Sequence, residues 1–210
     1  MNFKLEIVDD FFEIKDFKSL NSLDLEDVGE NSLKIFHNKI DNNETIIESC
    51  IEKDLLIQLY KKYNSKVVSI LKSINYEKSE LIDYTDLTII KTGKNYKFPI
   101  HDDTPDKLLS GVIYLSPEKN TGTIFYESKI GKNKKIIEWK KNRAVFFSRI
   151  ERETWHSYQG NGLENRTALI YNLMTKNIKQ VYKIEKKSYF FGLLRWKVNP
   201  YLYHYLKINY

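Results

Sequence analysis

The stretch Lys107–Pro117, KLLSGVIYLSP, decides the fold. It is a short apolar run rich in β-branched and aromatic residues, bounded by a charge and a proline, and it is shorter than a core helix needs. Runs of the same kind recur on both sides of it: DLTIIKT (Asp86–Thr92), TGTIFYES (Thr121–Ser128), KKIIEWK (Lys134–Lys140), NRAVFFS (Asn142–Ser148) and NRTALIYNL (Asn165–Leu173). Gly, Asn, Pro and Lys punctuate them as turns. Closely spaced strands of this type predict an antiparallel sandwich or barrel, closed so that its edges are protected.

Upstream, the period changes. Ile47, Ile51, Leu55, Leu59, Val67, Ile70, Leu71 and Ile74 recur at three- and four-residue intervals between Asn43 and Ile74, which predicts amphipathic helix, read as two helices hinged near Asn64–Ser65. Residues 1–40 are less regular, with a short strand or helix around Phe3–Phe17. The expected organisation is a helical preface over 1–80, a jelly-roll core over 81–175 and a basic aromatic extension over 176–210. The fold class is mostly β with flanking helices (α+β), the helices packing on one outer face.

Composition excludes several alternatives. With 41% hydrophobic and 14% aromatic residues, the 210-residue chain is not a disordered one. The lone cysteine, Cys50, cannot close an intramolecular disulfide, which favours a reducing compartment. Its place on a stripe with Ile47 and Ile51 predicts a buried, inert thiol. The opening MNFKLEIVDDFFEIKDF places acids within its apolar run and does not read as a signal peptide, and no apolar run reaches the ~18–20 residues of a membrane span. The expectation is a soluble, cytoplasmic protein. No phosphate loop, serine nucleophile elbow or nucleic-acid module is present.

The net charge of +6 is concentrated at the end of the chain, where Glu185 is the lone acid from Lys176 to Tyr210. There, Tyr189, Phe190, Phe191, Trp196, Tyr201, Tyr203 and Tyr205 alternate with lysines. Such a tail suits a membrane surface, a partner protein, self-association or single-stranded nucleic acid; an extension packed on the sandwich is the preferred reading, and nucleic acid is disfavoured.

The chemistry gathers around FPIHDDTP, Phe98–Pro105. His101 and Asp103 are two residues apart, so on a strand both side chains emerge on one face. Asp102 faces the other way and is expected to be solvated or to support the ligands from behind. A third ligand type, His156, stands in ETWHSYQG, and Arg166 opens an otherwise apolar strand. Two imidazoles and a carboxylate form the facial triad of non-haem Fe(II), and an arginine in the same mouth suits bidentate capture of a carboxylate. Lys107 and Trp155 are candidates for substrate contact, beside plainer roles as a surface lysine and a packing aromatic. His37 and His204 have no ligand partner at a useful spacing.

The order His101-x-Asp103, His156, Arg166, with strands between, resembles the Fe(II)/2-oxoglutarate-dependent oxygenases, specifically their prolyl-hydroxylase-like branch. The resemblance covers about Leu87 to Leu173; GVIYLSP and NTGTIFYE are similar to that branch's Tyr-Leu-Asn strand and the turn after it. It implies a double-stranded β-helix of the cupin-like kind. It also implies Fe(II) held by His101, Asp103 and His156, with 2-oxoglutarate and dioxygen as cosubstrates and ascorbate as an accessory reductant. Arg166 and the Tyr114 hydroxyl would hold the distal carboxylate of 2-oxoglutarate. Lys91 stands where relatives often carry a second tyrosine for that contact, so an ammonium replaces the contact or it is absent. The implied reaction is hydroxylation of a peptidyl proline, an amino acid or another small molecule with release of succinate and CO2; halogenating relatives have a small residue in place of Asp103. Two alternatives stand beside it: a non-catalytic jelly-roll binding module, and a cupin-type isomerase, which would give Arg166 no clear task.

Overall fold

A computed structural model describes residues 1 and 3–198 of the chain. Its centre is an antiparallel β-sandwich. The larger, eight-stranded sheet is built on β5 (Tyr84–Thr92), β7 (Lys107–Ser116), β10 (Ala144–Phe147) and β12 (Arg166–Met174), in the order β10-β7-β12-β5. The smaller sheet runs β6-β11-β8-β9, with β6 spanning Lys97–His101, β8 Ile124–Tyr126, β9 Lys135–Ile136 and β11 Trp155–Gln159. This is the jelly roll expected from the strand runs.

The first 80 residues are more than a helical preface. β1 (Leu5–Val8) extends the large sheet by pairing with β10, while β2 (Leu33–Phe36) and β3 (Lys39–Asp41) both pair along β5, and β4 (Ile46–Glu48) pairs with β3. These short strands cover edges that would otherwise offer unpaired backbone groups.

Helix α1 (Ile14–Asn21) and helix α2 (Lys53–Ile74) pack on the outer face of the large sheet. α2 buries Leu56, Leu59, Tyr60, Tyr63, Val67, Ile70 and Leu71, the stripe of a 3.6-residue period, against strand residues such as Leu87, Ile89, Leu169 and Tyr171. The expected hinge at Asn64–Ser65 is absent: α2 is continuous. Asn64 turns inward instead, accepting hydrogen bonds from Thr85 Oγ1 at 3.0 Å and Tyr171 Oη at 3.4 Å. A polar residue that would weaken an isolated helix is thus used to anchor it to the sheet. Cys50 also departs from expectation. It lies in the bend before α2 and is exposed, because the helix starts at Lys53 and the stripe does not extend back to Ile47.

The opposite face of the large sheet meets the small one. Val112, Tyr114, Val145, Phe147 and Ala168 pack there against Phe125, Ile137 and Trp139. On the helix-facing side, Gly111 lies directly across from Phe146, and a Cβ at that position would fall 2.2 Å from the Phe146 ring. The short α3 (Tyr76–Ser79) follows α2, and after β12 the chain returns as α4 (Ile178–Ile184), α5 (Tyr189–Leu193) and a π-helical turn, Leu194–Val198. The rest of the aromatic tail, with Tyr201, Tyr203, His204 and Tyr205, lies outside the described residues. Among the described residues no helix is long and apolar enough to cross a membrane.

Candidate metal centre

β6 and β11 are neighbours in the small sheet, and their register sets His101 directly opposite His156. The ring centroids lie 4.2 Å apart. His156 therefore sits within β11, and cross-strand pairing is what brings the two imidazoles together. Asp103 follows His101 by two residues, and ligand atoms of all three side chains lie within 4.8 Å of one another.

Hydrogen bonding prepares each group for a metal. His101 Nδ1 lies 2.9 Å from the Pro99 carbonyl oxygen and His156 Nδ1 2.9 Å from that of Thr154. A carbonyl only accepts, so both rings carry a proton on Nδ1, which leaves Nε2 as the nitrogen available to a metal. Burial pushes the His156 imidazole down to about 4, against the pull of Asp103, so it is neutral near pH 7. Burial would raise the Asp103 carboxyl, but Lys107, His156 and His101 together hold it well below the usual carboxylate range. Its Oδ1 accepts from Lys107 Nζ at 2.8 Å and its Oδ2 from Ser110 Oγ at 2.6 Å. Two imidazoles and an ionised carboxylate are the donor set of a facial triad, and they fit Fe(II).

Arg166 faces the triad across a cavity of about 120 Å³. The side chain is buried, and Tyr158 stacks on its guanidinium at 3.9 Å, with Trp139 and Tyr114 at 5.4 and 5.6 Å. Its Nε has no hydrogen-bond partner, and among the described residues no carboxylate pairs with it. Burial alone lowers the guanidinium pKa, with Tyr158 and Tyr114 acting in the opposite direction. A buried cation without an anion is costly, so this arrangement suits an anionic ligand in the cavity. The walls between Arg166 and the triad are largely apolar, with Ile90, Val112, Phe147, Ala168 and Ile170.

Solved structures share this architecture. A 2OG-Fe(II) oxygenase family oxidoreductase from Burkholderia pseudomallei superposes with a TM-score of 0.58 at 14% identity, over 81% of this chain and 84% of that one. This chain shares the double-stranded β-helix fold of that protein. A Pseudomonas putida prolyl-4-hydroxylase matches with a TM-score of 0.57 at 14% identity, over 84% of this chain and 95% of that one. A Trichoplax adhaerens prolyl hydroxylase, solved with a hypoxia inducible factor oxygen degradation domain peptide fragment, matches with a TM-score of 0.56 at 13% identity, over 86% and 87%. No family sequence profile and no curated protein sequence matches the chain.

Within this fold, the other expected site residues fall in different places. Lys107 lies at the triad, on Asp103. Trp155 lines an outer cavity beside the triad, its Nε1 donating to the Arg152 carbonyl at 2.9 Å. Tyr114 does not line the inner cavity. Its ring stacks on Trp139, and its hydroxyl accepts from Thr123 N at 2.8 Å and donates to Thr123 Oγ1 at 3.1 Å; Thr123, not Tyr114, faces the cavity. Lys91 is a correction. Alternation along β5 turns Ile90 and Thr92 into the cavity and Lys91 away from it, to Asp27 at 3.3 Å and the Leu25 carbonyl at 3.2 Å. Sequence reasoning also missed Tyr158, although its place two residues after His156 in one strand was a legible signal. Asp102 is buried and bonded to Arg195, so it is not solvated.

Proposed function

We propose that this protein is an Fe(II)- and 2-oxoglutarate-dependent dioxygenase that hydroxylates a small-molecule or peptidyl substrate and releases succinate and CO2. The observation that carries this reading is the unpaired, buried Arg166 facing a metal-ready His101–Asp103–His156 cluster across one cavity. A non-catalytic module or a cupin-type isomerase has no use for that cation. The peptide held by the Trichoplax neighbour makes a peptidyl substrate one candidate; a free amino acid is another.

In this reading His101, Asp103 and His156 hold the iron, which when bound supplies dioxygen activation coupled to oxidative decarboxylation of 2-oxoglutarate. Arg166 binds the distal carboxylate as a fork, oriented by the Tyr158 ring. Thr123, held by Tyr114, offers a hydroxyl to the same region. The apolar walls exclude water, which strengthens the guanidinium–carboxylate attraction. Lys107 and Ser110 keep Asp103 ionised and oriented toward the metal. Trp155 and Lys107 face the outer cavity, where substrate would enter.

The test is an anaerobic titration of the protein with Fe(II) and 2-oxoglutarate, read at the visible charge-transfer band of a chelated keto acid, followed by a succinate assay with ascorbate as reductant. The band is expected in the wild type and lost in His156→Ala. Folded, iron-replete protein without a band would refute the reading.

A further inference from the structure

The segment after α5 reaches back to the metal loop. Arg195, in the π-helical turn, donates to Asp102 through both terminal nitrogens, one at 2.8 Å from Oδ2, and its Nη1 also reaches Glu151 Oε1 at 2.5 Å. Asp102 lies between the two triad residues His101 and Asp103. Glu151 lies in the segment leading from β10 to His156. One guanidinium thus bridges the two chain segments that carry the triad.

The bridge belongs to a buried network of three cations, Lys78, Arg149 and Arg195, and three acids, Asp102, Glu151 and Glu185. Lys78 Nζ meets Glu185 Oε1 at 2.7 Å, and Arg149 binds both Glu185 oxygens, at 3.1 and 3.0 Å, as well as Glu151. Arg149 Nε also donates to the backbone carbonyl of Asp103 at 3.2 Å. Trp196 and Tyr182 add donors to Glu151 Oε2, at 3.2 and 2.9 Å. The Asp102 side chain is fully buried, and among the described residues Arg195 is its sole cationic partner; its other donor is Arg152 N, at 2.9 Å.

We propose that Arg195 is a positioning residue for the metal centre, fixing the His101–Asp103 segment against the segment that leads to His156. The inference rests on the triad being a metal site. Without Arg195, the Asp102 carboxylate is left buried and uncompensated, and the chain relieves that cost by moving Asp102 toward water. Asp102 is covalently joined to both His101 and Asp103, so its movement displaces two ligands at once. Metal sites tolerate roughly 0.5 Å of such displacement. The network also contains Arg149 and Lys78, which hold the rest of the scaffold, so loss of Arg195 disturbs the ligands more than the fold.

The test is a Co(II) titration of the metal-free full chain, read in the cobalt d–d absorption, with the melting temperature of the metal-free protein measured alongside. Replacing a residue that orients metal ligands costs about 10- to 100-fold in affinity, and Arg195→Gln is expected to weaken Co(II) binding by at least the lower figure and to alter the d–d band. Arg195→Lys keeps the charge but not the fork and should fall between it and the wild type. A purely structural role would lower the melting temperature of Arg195→Gln and leave its Co(II) affinity at the wild-type value, which overturns the proposal. If Arg195→Gln does not fold, Arg195→Lys decides: unchanged affinity in that folded variant is equally fatal. A wild type that binds no Co(II), or a His156→Ala variant that binds it as tightly, would instead remove the metal-centre reading on which the inference stands.

Discussion

Replacing Arg166 by methionine should separate ligand binding from stability in an unusual way. Methionine keeps much of the volume and removes the charge. In the ligand-free protein the guanidinium has no anionic partner, and its favourable contacts are with the Tyr158, Trp139 and Tyr114 rings. A desolvated cation–π contact contributes about 2 kcal/mol, while an uncompensated buried charge costs about as much or more. The two largely offset. A change of 1 kcal/mol moves the melting temperature of a chain this size by about 2–4 °C, so Arg166→Met should melt within about 4 °C of the wild type, or above it. The effect on 2-oxoglutarate is far larger. Each hydrogen bond to a charged group is worth about 1.5–3 kcal/mol, and losing a two-pronged fork costs at least about 3 kcal/mol, which is roughly a hundredfold or more in Kd. The assay is calorimetric titration of 2-oxoglutarate into the Mn(II)-loaded protein, with melting curves of the ligand-free form. A Kd within about threefold of the wild type would refute the clamp. A ligand-free variant that melts far below the wild type would show that the charge was compensated after all.

Three further outcomes test other parts of the structure. Tyr158→Leu removes the ring stacked 3.9 Å from the Arg166 guanidinium and should weaken 2-oxoglutarate binding by about tenfold while leaving Co(II) affinity unchanged, as checked by the same two titrations. Gly111→Ala forces a methyl group to 2.2 Å from the Phe146 ring and should cost about 1–3 kcal/mol in urea unfolding; a neutral substitution would mean that β7 and β10 separate easily. Burial would raise the Asp16 carboxyl, but Lys62, Tyr63 and Gln58 outweigh it and hold the folded value below the usual one. Its contribution to stability is therefore present above about pH 4–5 and lost as pH falls through the folded value. The stability gap between wild type and Asp16→Asn should shrink between about pH 5 and pH 3, and a gap independent of pH would contradict the assignment.

Much of the site was legible because its signals are local. The spacing of His101 and Asp103 needs only the strand period, and Arg166 was conspicuous as a charge opening an apolar strand. Other residues needed a face or a partner that no local pattern supplies. The run DLTIIKT carries apolar residues on both sides of the strand, so its period does not say that Lys91 points away from the cavity; packing of Leu87 and Ile89, on the same face as Lys91, into the helix-facing core decides it. Asn64 looked like a hinge because helix propensity ignores the Thr85 and Tyr171 hydroxyls that reach it from the sheet. The resemblance makes Tyr114 a ligand contact, but its buried hydroxyl takes the nearest partners available, and those belong to Thr123.

By itself the sequence determined the strand-rich core, the helical stripe of α2 and the chemical types able to make a metal site, because each follows from spacing along the chain. Tertiary structure alone decided which charges are paired. Asp102 finds Arg195 across 93 residues, whereas Arg166 is enclosed by rings and meets no acid among the described residues. The energy of a charge depends on what surrounds it in space and on how far water is excluded, and separation along the chain carries neither quantity.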